Sequence, residues 1–374
     1  MIDKKFWNNK KVFITGHTGF KGVWISLWLD LLGAKVTGYA LGPPTEPNLF
    51  DLCNLQKYIY SVNGNILDHK SLTDALLEAK PEIVIHMAAQ AIVQESYENP
   101  VATYYVNVLG TVNLLEAVRS CKSVKTVINV TTDKCYENKE RECGYKENDP
   151  LGGFDPYSGS KACSEIVTSS YRDSFFNPKE YDRHGVSTAT VRSGNVIGGG
   201  DWARDRLIPD CIRSLSRREK IIIRNPDSIR PWQHVLEPLR GYLMLARKLY
   251  ERGLQYNGAW NFGPADEDAK SVRWIVETLC SKWNINHRNS YKIDEGRRWH
   301  EANSLKLDCS KAKSGLGWHP KWNLETAIDK LIEWTKAYHG NCDVRELCLL
   351  QIEDYTKSCG AVDTKSHYES SQSQ

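Results

Sequence analysis

The chain predicts an α/β fold: a doubly wound parallel sheet joined to a smaller mixed α/β domain. Three observations predict it. A β-branched run, Lys11–Thr15, stops at Gly16 and passes through a helical pattern into a second strand, a βαβ opening. Strands and helices then keep alternating as far as Asn195. Beyond that point comes a polar, glycine-rich stretch, Gly198–Pro209, after which the alternation is less regular.

The elements follow in order. KVFIT at Lys11–Thr15 is the first strand. Gly22–Leu32 has apolar residues at helical spacing and ends at Gly33, a suitable helix cap. Lys35–Ala40 is the second strand. Next come a helix around Ser71–Lys80, a strand at Glu82–His86, a helix over Thr103–Ser120 and a strand at Thr126–Val130. A helix from about Pro156 to Phe175 and a strand at Ser187–Arg192 complete the series. The chain is expected to return to the sheet near His234–Arg247 and Tyr256–Gly263. The domains are therefore drawn as 1–194 with about 233–263, and about 195–232 with 264–345. The Ser/Gln-rich tail, 364–374, is expected to be disordered.

Bulk properties exclude several classes. At 374 residues and a formal net charge of +3, with no long basic tract, neither nucleic acid nor an anionic membrane is demanded as partner. No apolar run reaches the ~18–20 residues that span a bilayer, and the opening MIDKKFWNNKK lacks a signal-peptide apolar region. Eleven cysteines without CxxC or Cys/His ligand spacing fit a reducing, cytoplasmic compartment and argue against a metal site.

The turn Gly16-His17-Thr18-Gly19-Phe20-Lys21-Gly22 lies between a strand and a helix, where a Rossmann-type fold holds a dinucleotide. Gly16 permits the tight turn, Gly19 lets backbone approach a pyrophosphate, and Gly22 lets helix and strand pack closely. His17 and Lys21 either touch phosphate or face solvent. No acid or arginine follows the second strand, where Ala40-Leu41-Gly42-Pro43 stands; NAD is favoured modestly over NADP. Asp68 suits an adenine amino group and a helix N-cap equally. His86 reads as a satisfied core histidine, while Ala88, Ala89 and Gln90 are small or polar enough to border a cofactor. Asn107, unfavourable in mid-helix, is expected to hold neighbouring backbone.

Tyr157 and Lys161 are four apart, on one helical face. An ammonium near a phenol favours the phenolate and makes a base of it. Thr132, Asp133 and Lys134 add a hydroxyl, an acid and a third titratable group, more than hydride transfer alone requires.

On these residues the chain resembles the extended short-chain dehydrogenase/reductase family acting on nucleotide sugars, from Lys10 to about Trp334. The 4,6-dehydratases of that family carry Thr-Asp followed by Glu, and Lys134 departs from that pattern. Thr132-Asp133-Lys134, with Gly198-Gly199-Gly200-Asp201-Trp202 and Arg230-Pro231-Trp232-Gln233-His234-Val235, is similar to the branch acting on CDP-glucose. His300-Glu301-Ala302 and Leu316-Gly317-Trp318 fit the same branch.

The resemblance implies transient oxidation at the sugar C4, loss of water across C5–C6 and hydride return to C6. It implies Tyr157 and Lys161 at the 4-hydroxyl with Thr132, Asp133 as acid for the 6-hydroxyl, and Lys134 as C5 base or enolate stabiliser. A lysine base must be neutral, which burial beside Lys161 would favour. Gln90, Asn195, Arg206, Leu207, Arg230, Arg297 and Glu301 fall on the substrate side. A homodimer through a four-helix interface, built by Thr103–Ser120 and Pro156–Phe175, is also implied. The alternatives are a 4-epimerase or a dehydratase of another nucleotide sugar, and a non-catalytic dinucleotide sensor. An epimerase has no need of Asp133 and Lys134, and a sensor no need of Thr132, Tyr157 and Lys161 together.

Overall fold

A computed structural model describes residues 2–284, 290–294 and 304–359. Seven parallel strands form the central sheet: β1 (Lys11–Thr15), β2 (Lys35–Ala40), β3 (Tyr60–Asn63), β4 (Ile83–His86), β5 (Thr126–Val130), β6 (Ser187–Ser193) and β7 (Gly258–Phe262). Their spatial order is β7-β6-β5-β4-β1-β2-β3. The order reverses between β1 and β4, so their carboxyl ends diverge and leave a crevice where such sheets bind ligands. β5 and β6 are buried along their whole length, which explains their continuous apolar and Thr-rich runs.

Helices cover both faces. On one, Trp24 and Trp28 of helix Phe20–Leu31 join Leu239 and Leu243 of helix Leu236–Arg252 in the largest core. On the other, Leu72 and Leu76 of helix His69–Ala79 pack with Leu114 and Val118 of helix Gly110–Ser120. A separate core gathers Ile208, Ile221, Ile275, Leu279 and Leu331 from helices Leu207–Arg217, Val272–Lys282 and Leu324–His339 and the strand pair Ile221–Ile223 with Tyr291–Ile293.

Elements that depart from expectation include a helix that is broken and a helix that is new. The helix expected over 103–120 is three pieces, Pro100–Tyr104, a π-helical turn at Tyr105–Leu109 and Gly110–Ser120. Asn107 sits in the widened turn with its amide committed outside the helix, a usual setting for such a turn. Helix Val344–Ser358 was not anticipated. It begins as an Asp-x-x-Glu cap, Asp343 accepting from the amide of Glu346 at 3.0 Å, and locks onto helix Phe20–Leu31 by an Arg345–Asp30 pair at 2.9 Å. The tail 364–374 lies outside the described residues.

Candidate active site

The crevice encloses about 1470 Å³ and runs from the glycine turn past Ala40, Leu41, Asn65 and Ala88 to Tyr157, Lys161 and Arg206. The turn is built for backbone proximity. Gly16 has φ +78°, and a Cβ there would sit 2.7 Å from the amide nitrogen of Ala88. A Cβ on Gly22 would come within 2.1 Å of the Gly16 carbonyl, so turn and helix touch as the motif requires. Gly19 differs: a Cβ would meet only the Gly16 oxygen, at 3.6 Å. Its openness is toward the crevice, at the amino end of the 12-residue helix Phe20–Leu31, where amides suit a phosphate. These residues fit a dinucleotide.

Several neighbours are placed otherwise than expected. His17 neither faces solvent nor borders the crevice; its ring lies under Gly38, Nε2 is 2.7 Å from the hydroxyl of Ser61, and burial lowers its pKa to about 4. Asp68 is exposed and caps helix His69–Ala79, accepting from the amide and hydroxyl of Ser71 at 3.0 and 2.7 Å. The cap is the role its local hydrogen bonds show. Thr18 donates to the Leu41 carbonyl at 3.0 Å, tying turn to β2, and Phe20 lines the crevice. Asn107 accepts from the Gln90 amide at 2.9 Å, donates to its carbonyl at 2.9 Å and donates to Ser160 at 2.8 Å, so it fixes the strand end bearing Ala88, Ala89 and Gln90. The Gln90 side chain donates to Thr103 at 2.9 Å. His86 is a satisfied core residue, its Nδ1 2.7 Å from Thr15 Oγ1, with burial and Lys161 lowering its pKa to about 3.

Tyr157 and Lys161 line the crevice, and Thr132 and Asp133 stand next to Tyr157; all four are buried. Thr132 ends its strand connection in extended backbone and caps the short turn Asp133–Cys135, accepting from the Lys134 amide at 3.3 Å and donating to Asp133 Oδ1 at 3.1 Å. Asp133 Oδ2 has no hydrogen-bond partner among the described residues, and burial raises this carboxyl's pKa, opposed by Lys134, Thr132, Arg230 and Lys21. Burial pushes the Tyr157 phenol up to about 12, with Thr132 and Arg206 pulling it down and Asp133 raising it further. The Lys161 amine does not bond the phenol. It donates to the Val130 carbonyl at 3.1 Å, and burial lowers it to about 8 against the field of Glu165.

Lysines 21 and 134 are placed otherwise than expected. Lys21 is half-buried, donates to Ser193 at 3.1 Å, and is lowered to about 8 by desolvation, Arg206 and Lys161, with Asp133 and Asp201 opposing. It is the lysine beside Lys161. Lys134 is half-buried as well but faces a second cavity of about 430 Å³, which it shares with Tyr136, Asp155, Ser158 and Arg230. The turn after Thr132 swings it out while Asp133 points in. Nothing local in the sequence marks this place for Lys21, which depends on Ser193, 172 residues away.

On the substrate side, Arg230 is buried at the second cavity and donates to the Ile229 carbonyl at 2.9 Å. Arg206 borders the crevice and donates to Asp201 at 3.2 Å. Asn195 is half-buried at the end of β6, its carbonyl accepting from Gln233 at 3.0 Å. Leu207 packs against the second core and does not line the crevice; Ile208, a member of that core, and Pro209 do. Arg297 and Glu301 lie outside the described residues. No helix of the described residues is long and apolar enough to cross a membrane.

A glycine turn at the switch point of a parallel sheet, facing a Thr/Tyr/Lys cluster, defines a nucleotide-binding enzyme of the short-chain dehydrogenase/reductase type. Residues 13–331 match the family model described as GDP-mannose 4,6 dehydratase, and the chain belongs to that family. It is 53% identical over 355 residues to the CDP-glucose 4,6-dehydratase of Salmonella typhimurium, covering 95% of this chain and 98% of that one. It is 28% identical over 343 residues to human dTDP-D-glucose 4,6-dehydratase, covering 89% and 91%. In fold it resembles the dTDP-glucose 4,6-dehydratase of Streptomyces venezuelae solved with NAD bound, with TM-score 0.75, 22% identity and 88% and 98% coverage.

Proposed function

We propose that the chain converts CDP-D-glucose to CDP-4-keto-6-deoxy-D-glucose and water, as a hydro-lyase using NAD that is regenerated within each turnover. The observation that carries this is the 53% identity along essentially the full length of both chains to an enzyme named for that substrate. An Asp133 oxygen beside Thr132 with no hydrogen-bond partner among the described residues favours dehydration over epimerisation, which needs no acid there.

NAD would lie along the glycine turn, Leu41, Ala88 and Lys161, and when bound supplies a hydride acceptor for C4 and a hydride donor for C6. The protein handles the protons. Tyr157 takes the 4-hydroxyl proton, with Thr132 holding that oxygen and Arg206 favouring the phenolate against burial. The C4 ketone acidifies the C5 hydrogen, and Lys134, facing the second cavity, serves that carbon as the base or as the cation that stabilises the enolate. Asp133, whose carboxyl burial shifts toward the protonated form, gives a proton to the C6 oxygen, and water leaves. After hydride addition at C6 the proton returns to C5.

The working unit is a cytoplasmic homodimer. Val101, Tyr105 and Leu109 are exposed at four-residue spacing on the helical stretch 100–120, beside exposed Ile166 on helix Pro156–Ser174. A second copy presenting the same two helices covers this apolar face.

The test is purified protein with CDP-glucose, UDP-glucose, dTDP-glucose and GDP-mannose in parallel. Loss of one water from the CDP sugar, with deuterium placed at C4 recovered at C6 and no net reduced cofactor, is expected. Turnover of another sugar nucleotide but not CDP-glucose refutes the substrate. Deuterium lost from C4 to solvent refutes the cycle.

A further inference from the structure

Behind the site lies an ion pair that the proton chemistry does not use. Glu165 stands one helical turn beyond Lys161 on helix Pro156–Ser174, and Arg192 lies on β6; their side chains are 4% and 3% exposed, so water cannot stand in for either. All four lone-pair directions of the carboxylate are taken. Oε1 accepts from Thr131 Oγ1 at 2.5 Å and Arg192 Nε at 2.9 Å; Oε2 accepts from Thr190 Oγ1 at 2.6 Å and Arg192 Nη2 at 2.8 Å. Arg192 Nη1 reaches on to the Tyr136 hydroxyl at 2.8 Å. Thr131 and Tyr136 are the residues that bracket Thr132-Asp133-Lys134-Cys135.

A buried pair of this kind is not needed for stability, since well-packed apolar residues serve as well. What a bidentate Arg–carboxylate contact provides is fixed direction. We propose that Glu165 and Arg192 are positioning residues: together they clamp both ends of the catalytic segment Thr132–Lys134 and set the charge on Lys161 from behind.

The clamp has two handles on the same peptide. Lys161 Nζ holds the Val130 carbonyl at 3.1 Å while Glu165 holds the hydroxyl of the next residue, Thr131, and both come from one helix. Thr132 therefore leaves the strand at an angle dictated by that helix. Electrostatically, the groups facing Lys161 are Glu165 and Tyr157 on its own helix, Cys135 on the short turn, His86 on β4 and Lys21 on helix Phe20–Leu31. His86 is neutral at working pH and Cys135 a buried thiol pushed up by burial, which leaves Glu165, tempered by Arg192, as the anion that keeps Lys161 an ammonium.

The inference rests on the dehydratase reading, and the test separates the two. Thr131→Val and Thr190→Val each remove one hydroxyl from the same carboxylate, but only Thr131 adjoins the catalytic segment. Thr131→Val is expected to lower kcat on CDP-glucose about tenfold or more with KM within about threefold, while Thr190→Val stays within about twofold. Glu165→Gln should move the alkaline limb of the kcat–pH profile to lower pH, and Arg192→Gln, which leaves the carboxylate unpaired, to higher pH. Equal losses of kcat in the two threonine variants, or limbs that stay put or move the same way, overturn the proposal. If the charge variants do not fold, the threonine pair decides it. If the wild-type protein turns over no CDP-glucose, the functional reading fails. NMR titration of Lys161 in the same variants, which needs no substrate, still tests the clamp: the midpoint must fall in Glu165→Gln and rise in Arg192→Gln.

Discussion

Lys161 donates 3.1 Å to the carbonyl of Val130, the last residue of β5, and so ties the catalytic helix to the strand that delivers Thr132. The amine is poised between states, since burial has brought it down from 10.5 to about 8. Activity that depends on the ammonium should fall as pH rises through about 8. The same shift has a stability consequence of known sign. Between about 8 and 10.5 the unfolded chain holds this proton and the folded one has released it, so folding gains as pH rises there. Lys161→Met removes the buried cation; it should lose about three orders of magnitude in kcat yet melt higher than wild type below pH 8. Thermal scans from pH 7 to 10 should show that gap narrowing.

Asp133 carries the opposite kind of shift. Its carboxyl is raised from 3.8 by burial, so the folded state favours the proton and the penalty for ionisation grows as pH rises above 3.8. Asp133→Asn keeps the shape and removes that penalty. Melting at pH 7 should rise by a few degrees while kcat falls about 10²–10³-fold. Under single turnover the variant should still oxidise C4, seen as reduced cofactor that builds up because water is not expelled. Loss of that oxidation together with dehydration would place Asp133 in the first step instead.

For Lys134 the relevant observable is C5. Lys134→Met should abolish exchange of the C5 hydrogen with deuterated solvent while leaving C4 oxidation within about tenfold of wild type. Lys134→Glu places a carboxylate base at the same position of the turn and should restore part of the exchange. Undiminished exchange in Lys134→Met would show that another group takes this proton.

The sheet was legible because its signals are local: β-branched runs ended by glycine, and helices with one apolar face, recovered within one to three residues at most ends. The strand Tyr60–Asn63 escaped because it is an edge strand without a buried face, its residues exposed or half-exposed. The Thr132–Lys134 and Tyr157–Lys161 groups were legible as spacing. The destinations of single side chains were not. Lys21 and Lys134 are chemically identical in the sequence and both end half-buried; only the partner across the fold, Ser193 for one and the second cavity for the other, decides which stands beside Lys161. The π-helical turn likewise depends on Asn107 finding Gln90, a contact 17 residues distant.

That contact is itself testable. Asn107→Leu would strand the Gln90 amide and carbonyl and leave Ser160 without this donor. Unsatisfied buried groups of this type destabilise by about 1–3 kcal/mol each, so a loss of several degrees in Tm is expected. Because Gln90 and Ala89 border the crevice, NAD affinity should weaken along with stability, measured by calorimetric titration of the folded variant at low temperature. A variant that melts lower but binds NAD as tightly as wild type would limit Asn107 to a packing role.

The apolar face on the helical stretch 100–120 makes the last prediction. Val101, Tyr105 and Leu109 are 66%, 52% and 44% exposed, and Ile166 on the neighbouring helix 56%, an arrangement that a soluble monomer rarely keeps open. None of these four side chains borders the crevice or the second cavity. A charge at their centre should therefore break the dimer without touching the chemistry directly. Tyr105→Glu combined with Ile166→Glu is expected to sediment as a monomer at concentrations where wild type sediments as a dimer. Its catalytic helix Pro156–Ser174 then loses its outer support, so kcat should drop about two- to tenfold while the pH profile keeps its midpoint near 8. Wild-type protein that sediments as a monomer would refute the proposed dimer, and a double variant that remains dimeric would move the interface to another face.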